Sequence, residues 1–487
     1  MKKLLLAPSF AFLAFGFLAV CSCSDSNNTP GTSNGGSPSA GSSGTGTGGG
    51  TGEATGGASA TGGAVSTGGA ASGGAVSTGG AATGGGSSTA GTAGTPSGEN
   101  WVGTWATGLQ LTEPRNLPMG GDDTMPTPDN PGFVGNTLRQ IVHVSIGGSK
   151  LRLRLSNEYG VAPVTFDAVH VAKSMGSGAI DASTDTALAF SGKPSVTIPA
   201  GQAVNSDSFE FELAAMSDLA ISVKISEQSK DVTGHPGART NSYMQPGDAV
   251  SLATLATDAL KTAHWYFIAG VDVVGTEKSG AVVVLGDSLT DGRGSTTDGN
   301  DRWPDALSRK LQSDAATSHI AVLNQGIGGN TVLTGGLGPT AKVRFDHDVI
   351  AMPGAKWLIV LEGVNDIGNS TTDVSGDLIA AYEEFIEKAH KANIKAFGVP
   401  ILPFKTNTNY DKGDHLDQRK KVNDWIRTSG KFDAVIDLDK VVADPADPDK
   451  LLEAYATLPS SVGTDFLHLN PMGYKAMGDA VDVSLFK

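Results

Sequence analysis

The stretch Val282-Val283-Val284-Leu285-Gly286-Asp287-Ser288-Leu289-Thr290-Asp291-Gly292 decides the fold of the second half of this chain. Three β-branched residues and a leucine run without a polar break into Gly-Asp-Ser. A short apolar run bounded by turn residues is the pattern of a buried strand. The spacing therefore predicts a strand that ends in a tight turn carrying a serine. In an open α/β sheet, ligands bind in the crevice beyond the carboxyl ends of the strands. Ser and Asp are also ordinary turn residues that bond their own backbone, so this turn alone does not specify chemistry.

Downstream the rhythm of the turn's own strand repeats. Apolar strands are predicted at 281–285, 320–324, 356–362, 394–399 and 434–438, with helical segments between them. Leu378, Tyr382, Phe385 and Ala389 recur at helical spacing. Asn470-Pro471 supplies an N-cap and a first-turn proline for a last helix reaching about Phe486. Strands alternating with helices imply right-handed crossovers and a parallel sheet covered on both faces. Upstream, residues 101–275 read differently. Lys150-Leu151-Arg152-Leu153-Arg154-Leu155, Phe209-Glu210-Phe211-Glu212-Leu213 and Ala220-Ile221-Ser222-Val223-Lys224-Ile225 alternate with period two. Gly147-Gly148, Pro199-Ala200-Gly201 and Gly234-His235-Pro236-Gly237 separate such runs as turns. This pattern predicts an antiparallel β-sandwich.

Three further segments give the serine partners: Asn324-Gln325-Gly326-Ile327-Gly328-Gly329-Asn330, Glu362-Gly363-Val364-Asn365-Asp366 and Asp465-Phe466-Leu467-His468. The order Ser…Asp…His is a signature of acyl transfer. A hydroxyl is a weak nucleophile at neutral pH, so Ser288 needs a base within hydrogen-bond reach. His468 fits that role, with Asp465 three residues back. In a helical turn that spacing puts both side chains on one side, and the carboxylate can orient the imidazole. A tetrahedral intermediate also needs donors for its oxyanion. The backbone N–H groups of Ser288 and Gly329 and the side-chain amide of Asn365 are the candidates. Asp287 and Asp366 are expected to bond neighbouring backbone and hold their turns.

Together these segments resemble the SGNH, or GDSL-type, serine hydrolase superfamily. Ser288, Gly329, Asn365 and His468 match its four namesake residues, and Asp465 completes the Asp-x-x-His pair. The resemblance spans 278–487. It implies a flavodoxin-like three-layer α/β/α hydrolase domain with about five parallel strands, preceded by the β-sandwich. Gly286 to Gly294 with Arg302-Trp303-Pro304-Asp305 resembles a narrower bacterial two-domain branch of arylesterases and acylhydrolases associated with xylan breakdown. Trp101-Val102-Gly103-Thr104-Trp105 and Ser156-Asn157-Glu158-Tyr159-Gly160 look like hallmarks of its N-terminal β domain. No Gly-x-Ser-x-Gly elbow is present, which removes the main support for an α/β-hydrolase.

Bulk properties narrow the rest. The chain has 487 residues and a formal net charge of −15. With no Lys/Arg-rich stripe, nucleic acid is a poor partner, because its binding rests on neutralising phosphates. Met1-Lys2-Lys3 and the apolar run to Val20 read as an export signal over 1–23. Cys21 and Cys23, the two cysteines of the chain, sit at its end in a lipobox-like context that predicts a lipid anchor. The globular part therefore has no disulfide, zinc-thiolate site or cysteine nucleophile. Residues 24–99 collapse to Gly, Ser, Thr and Ala, too little apolar bulk to offset ordering, and read as a flexible tether. The boundaries that follow are a β-sandwich at 100–276 and a hydrolase domain at 277–487. The expected protein is exported, extracellular or held at the outer membrane by lipid. It is an esterase that needs no cofactor or metal. It acts on short acyl esters, acetyl groups on a polysaccharide such as xylan being the expectation from the branch. A lipase or thioesterase for longer chains, and a non-catalytic surface carbohydrate-binding protein, are the alternatives.

Other residues carry weaker suggestions. Asp346-His347-Asp348 looks like a metal cluster, but consecutive helical residues point different ways, and a solvated face on Lys342–Ile350 is expected. Asp298-Gly299-Asn300-Asp301 lacks calcium-loop spacing and reads as a turn. Trp101, Trp105, Trp265 and Tyr266 are expected in the core rather than stacked on sugars. The loop from Gly234 to Tyr243 could border the active site through His235 or Arg239.

Overall fold

Gly280–Gly286 is buried along its whole length at the heart of a five-stranded sheet. A strand flanked on both sides and covered on both faces needs an unbroken apolar run, which Val282 to Leu285 provide. The computed structural model describes residues 98–118, 132–456 and 464–487, all within one compact unit spanning 90–487. The expected export signal at 1–23 and nearly all of the expected tether at 24–99 lie outside the described residues.

The sheet runs Ile320–Gly326, Gly280–Gly286, Ala355–Leu361, Lys395–Gly398, Ala434–Val435 across its width. Every neighbouring pair is parallel. In chain order this is 2-1-3-4-5, the doubly wound flavodoxin-like order. The chain moves first to one side of Gly280–Gly286 and then to the other. With right-handed crossovers that reversal places helices on opposite faces. Trp303–Gln312 packs against Pro471–Ala480, and Ser375–Lys391 against His415–Thr428. Leu378, Tyr382, Phe385 and Ala389 are all buried, as their spacing predicts. Two expected elements are shorter than predicted. The fifth strand is only Ala434–Val435, because Asp437 opens a helix at Leu438–Val442. The last helix ends at Ala480, and a 3-10 turn, Val483–Phe486, follows it. Asn470 does cap that helix, its Oδ1 accepting the Gly473 N–H at 2.9 Å. No helix among the described residues is long and apolar enough to cross a membrane.

Residues 100–275 form antiparallel sheets. One runs Asn100–Ala106, Ile268–Gly275, Gly148–Ser156, Phe209–Leu213; another includes Ser242–Pro246, Asn136–His143, Asp218–Glu227 and Val164–Gly176. In Gly148–Ser156 the three leucines are buried while Lys150, Arg152 and Arg154 are partly exposed. The expected turn at Gly234 is instead part of a strand. Thr233–His235 pairs with Gln110–Leu111 on one side and Trp265–Tyr266 on the other.

These sheets share one apolar core with the parallel sheet. They also cover its edge, where the Val322 N–H donates to Ser145 Oγ at 3.2 Å, and they meet the loop before Ala355–Leu361, where the Gly103 N–H donates to the Pro353 carbonyl at 2.9 Å. Covering an edge strand removes a template for unwanted pairing.

Deeper in the parallel half, Phe345 stacks on Phe385 with ring centres 4.6 Å apart and planes 10° from parallel. Both are fully buried. Phe345→Ala is expected to cost about 3–5 kcal/mol, read as a lower midpoint of urea unfolding. An unchanged midpoint would contradict this packing.

Candidate active site

Beyond Gly286 the chain turns sharply into a one-turn helix, Ser288–Asp291. Asp287 caps it, its Oδ1 accepting the Leu289 N–H at 2.9 Å. This is the local bonding the sequence predicts for Asp287. Ser288 thus sits at the first helical position, where its own N–H has no intrahelical partner.

Ser288 Oγ lies 2.8 Å from His468 Nε2, and His468 Nδ1 lies 2.6 Å from Asp465 Oδ2. An ionised carboxylate can only accept, so Nδ1 carries the proton and Nε2 offers its lone pair to the Ser288 hydroxyl. The helical turn expected for Asp465–His468 is not what holds them. The segment is a non-helical bend in which Asp465 Oδ1 accepts the N–H groups of Leu467 at 3.0 Å and His468 at 2.8 Å. Phe466 adopts a left-handed conformation, φ 52°. A short carboxylate bonding the backbone two and three residues ahead gives the same convergence without a helix. Asn407 Nδ2 donates to the Asp465 carbonyl at 2.7 Å and anchors the bend.

Among the described residues, neither the Ser288 N–H nor the Gly329 N–H has a protein acceptor. Gly329 has φ 72° and packs against Leu337. A β-carbon there would pay the left-handed penalty. Asn365 is oriented from both ends: Tyr410 donates its hydroxyl to Oδ1 at 2.6 Å, and Nδ2 donates to the Asn330 carbonyl at 2.7 Å. One Nδ2 hydrogen is left over. Asp366 does not bond its own neighbours as expected. It accepts the Val332 and Leu333 N–H groups, both at 2.9 Å, and so ties the loop after Ile320–Gly326 to the asparagine's helix.

Arg344 organises this ground. Its Nε donates to Asn330 Oδ1 at 3.0 Å. Nη1 donates to the Gln325 carbonyl at 2.5 Å and Asp348 Oδ2 at 2.9 Å, and Nη2 to the Gly286 carbonyl at 2.9 Å. The solvated face expected for Lys342–Ile350 is therefore wrong for its centre: Arg344 and Asp348 are buried. His347 joins them, with Nδ1 2.6 Å from Asp348 Oδ1 and Nε2 2.8 Å from Glu158 Oε1. Burial opposes charge on His347, but Asp348 and Glu158 outweigh it and push the imidazolium up to about 10. Among the described residues, no group of three or more His, Cys, Asp or Glu is placed to hold a metal ion.

Electrostatics separate the acids. Burial pulls His468 below its ordinary value, Asp465 resists, and Arg293 and Arg239 push the same way as burial. Burial works against charge on Asp465, but His468 and the two backbone N–H groups overcome it and hold the carboxyl at about 2. Beneath the serine the order inverts. Burial pushes Glu362 up to about 8 against the pull of Arg344. It pushes Asp287 up to about 7, opposed by the Leu289 N–H and reinforced by Asp366. Neither oxygen of Glu362 has a hydrogen-bond partner among the described residues.

The remaining suggestions resolve by burial. Trp105, Trp265 and Tyr266 are core residues, while Trp101 is half-buried beneath the Arg152 guanidinium, 4.5 Å away. Asp298 stabilises a turn by accepting the Asn241 N–H at 2.7 Å. The loop from Gly234 does reach the Ser288–Asp291 helix: His235 Nε2 is 2.9 Å from Asp291 Oδ1 and Arg239 Nη2 is 3.6 Å from Asp291 Oδ2. The sequence marks no role for Arg344, Tyr410 or Asn407, and for Asn330 it marks only a place beside Gly329. Only the i,i+4 pair Arg344/Asp348 carries a local signal.

Residues 284–476 match the model of the GDSL-like lipase/acylhydrolase family. No curated protein matches the chain. Solved structures that are similar include a G-D-S-L family protein from Desulfitobacterium hafniense (24% identity, covering 41% of this chain and 96% of that one, TM-score 0.31). A carbohydrate acetylesterase from Sinorhizobium meliloti is also similar (14%, 42% and 96%, TM-score 0.32). So is a lipase/acylhydrolase from Enterococcus faecalis (17%, 41% and 92%, TM-score 0.32). Residues 284–476 of this chain therefore carry a GDSL-like lipase/acylhydrolase domain.

Proposed function

We propose that the chain is an exported serine esterase that removes short acyl groups, acetyl above all, from a polysaccharide such as xylan. The observation that carries the chemistry is the continuous contact from Ser288 Oγ through His468 to Asp465, 2.8 Å and then 2.6 Å. The polysaccharide assignment rests on the resemblance of 286–294, 302–305 and the N-terminal β part to the xylan-associated branch. The export signal at 1–23, the tether at 24–99, the β-sandwich at 100–276 and the hydrolase domain at 277–487 complete this reading.

Ser288 Oγ attacks the ester carbonyl carbon as its proton passes to His468 Nε2. The carbonyl oxygen becomes an oxyanion and accepts from the Ser288 N–H, the Gly329 N–H and the remaining Asn365 Nδ2 hydrogen. The carbon–alkoxide bond then breaks, and His468 returns the proton to the leaving alcohol. Water repeats the sequence on the acyl-serine: His468 takes its proton, the acyl–oxygen bond to Ser288 breaks, and the proton goes back to Oγ. Asp465 remains ionised throughout and stabilises the transient imidazolium. Because His468 is held low, it is neutral and ready as a base at neutral pH.

Two measurements test this. Ser288→Ala is expected to lower kcat on p-nitrophenyl acetate by about 10⁴-fold or more, and wild type to prefer acetate over octanoate; retained turnover in the variant would end the reading. The acid limb of kcat/KM reports His468 in the free enzyme. Activity requires the neutral ring, so it rises with pH through that group, and the midpoint is expected below about 6.5. A midpoint above 7 would contradict the environment described for His468.

A further inference from the structure

The β half reaches the Ser288–Asp291 turn through a buried histidine. His235 and Asp291 are each almost completely buried, with side chains 3% and 1% exposed. His235 Nδ1 lies 2.7 Å from the Gly108 carbonyl. A carbonyl only accepts, so Nδ1 holds a proton. Nε2 lies 2.9 Å from Asp291 Oδ1, and two lone pairs cannot face each other at that distance. A second proton therefore lies between ring and carboxyl group and joins them in a hydrogen bond.

The surroundings fix this contact on every side. The imidazole stacks on Trp265, centres 5.7 Å apart. The Arg302 guanidinium stands 6.0 Å over the same indole. Arg239 faces Asp291 Oδ2 at 3.6 Å. The loop approaches so closely that a β-carbon at Gly237 would stand 2.1 Å from Asp291 Oδ2, and one at Gly328 would stand 3.2 Å from the same oxygen. Asp291 ends the helix that Ser288 begins, its N–H donating to the Asp287 carbonyl at 2.8 Å. Gly328 precedes Gly329. One carboxylate thus meets the serine's helix, the loop carrying a proposed oxyanion donor, and the β half.

We propose that His235 is a positioning residue for ester hydrolysis. By holding Asp291 it fixes the Ser288–Asp291 helix against His468 and keeps the Gly328-Gly329 loop in place, so the β half is a working part of the catalytic centre. This rests on the esterase reading above.

The test uses the full chain and p-nitrophenyl acetate, with kcat expressed per serine labelled to completion by a fluorophosphonate. His235→Ala is expected to lower kcat by about ten- to a hundredfold, as small misplacements of reacting groups do, with KM within about twofold. His235→Gln, which keeps a donor towards Asp291, should recover most of that loss. Gly237→Ala, with His235 intact, should lower kcat by pushing the loop off Asp291. A role in folding alone would reduce the yield of labelled protein and leave kcat per labelled serine unchanged in all three variants; that result overturns the inference. If His235→Ala does not fold, an unchanged kcat per labelled serine in Gly237→Ala has the same force. A wild type with no turnover and no label on Ser288 would instead overturn the esterase reading, and this inference with it.

Discussion

The buried guanidinium of Arg344 is the contact on which the candidate site depends. It donates to the carbonyls of Gly286, the last residue of its strand, and Gln325, the last but one of the adjacent parallel strand, and to the side chain of Asn330 beyond them. Where parallel strands end at a crevice, their terminal carbonyls lose the ladder that satisfied them, and a buried carbonyl without a donor is costly. Arg344 supplies several donors in one planar fork. In doing so it fixes the strand end that launches Ser288 relative to the loop that carries Gly329. Asn330 then presents its carbonyl to Asn365, so Asn365 is registered to the same frame.

A charge in this position needs compensation. Asp348 supplies it directly at 2.9 Å, and His347 and Glu158 extend the line into the β half. Glu362, Asp287 and Asp366 also lie near, and their full ionisation would leave a strong negative field beneath Ser288. Burial raises all three above the usual carboxylate range. Raised carboxyls carry less negative charge at neutral pH, which lessens the repulsion among the three. Asp465 is the contrast. With three N–H donors around it, it keeps its charge, and that charge serves His468. Burial raises one set of carboxyl groups, while hydrogen bonds and the neighbouring imidazole lower Asp465.

Much of this was legible in the sequence because it is local. The run from Val282 to Leu285 specifies a strand by composition, Asp287 caps its helix from the adjacent position, and the helical spacing of Leu378 to Ala389 marks a buried face. The positions of Ser288, Gly329, Asn365, Asp465 and His468 could be named from four short segments. What escaped depends on distant partners. Arg344 sits in a segment whose local pattern resembles a solvated helix, and nothing nearby indicates that two strand ends converge on it. Tyr410 and Asn407 lie in a loop without periodicity, yet one orients Asn365 and the other anchors Asp465. The Asp465–His468 pair shows a related limit: the spacing is right, but a carboxylate-bonded bend replaces the expected helical turn. His235 looked like a turn residue because Gly234, Pro236 and Gly237 surround it, whereas its own pairing with Trp265, beside the pairing of Gly234 with Gln110, makes it the end of a strand.

The most direct test of the central claim, that distant segments converge on one reacting centre, is a crystal structure of the protein inactivated by a diethyl phosphoryl group. The phosphorus should be bonded to Ser288 Oγ, with its phosphoryl oxygen at hydrogen-bond distance, about 2.7–3.1 Å, from the Ser288 nitrogen, the Gly329 nitrogen and Asn365 Nδ2. Phosphorylation elsewhere, or a phosphoryl oxygen turned away from Gly329 and Asn365, would contradict it.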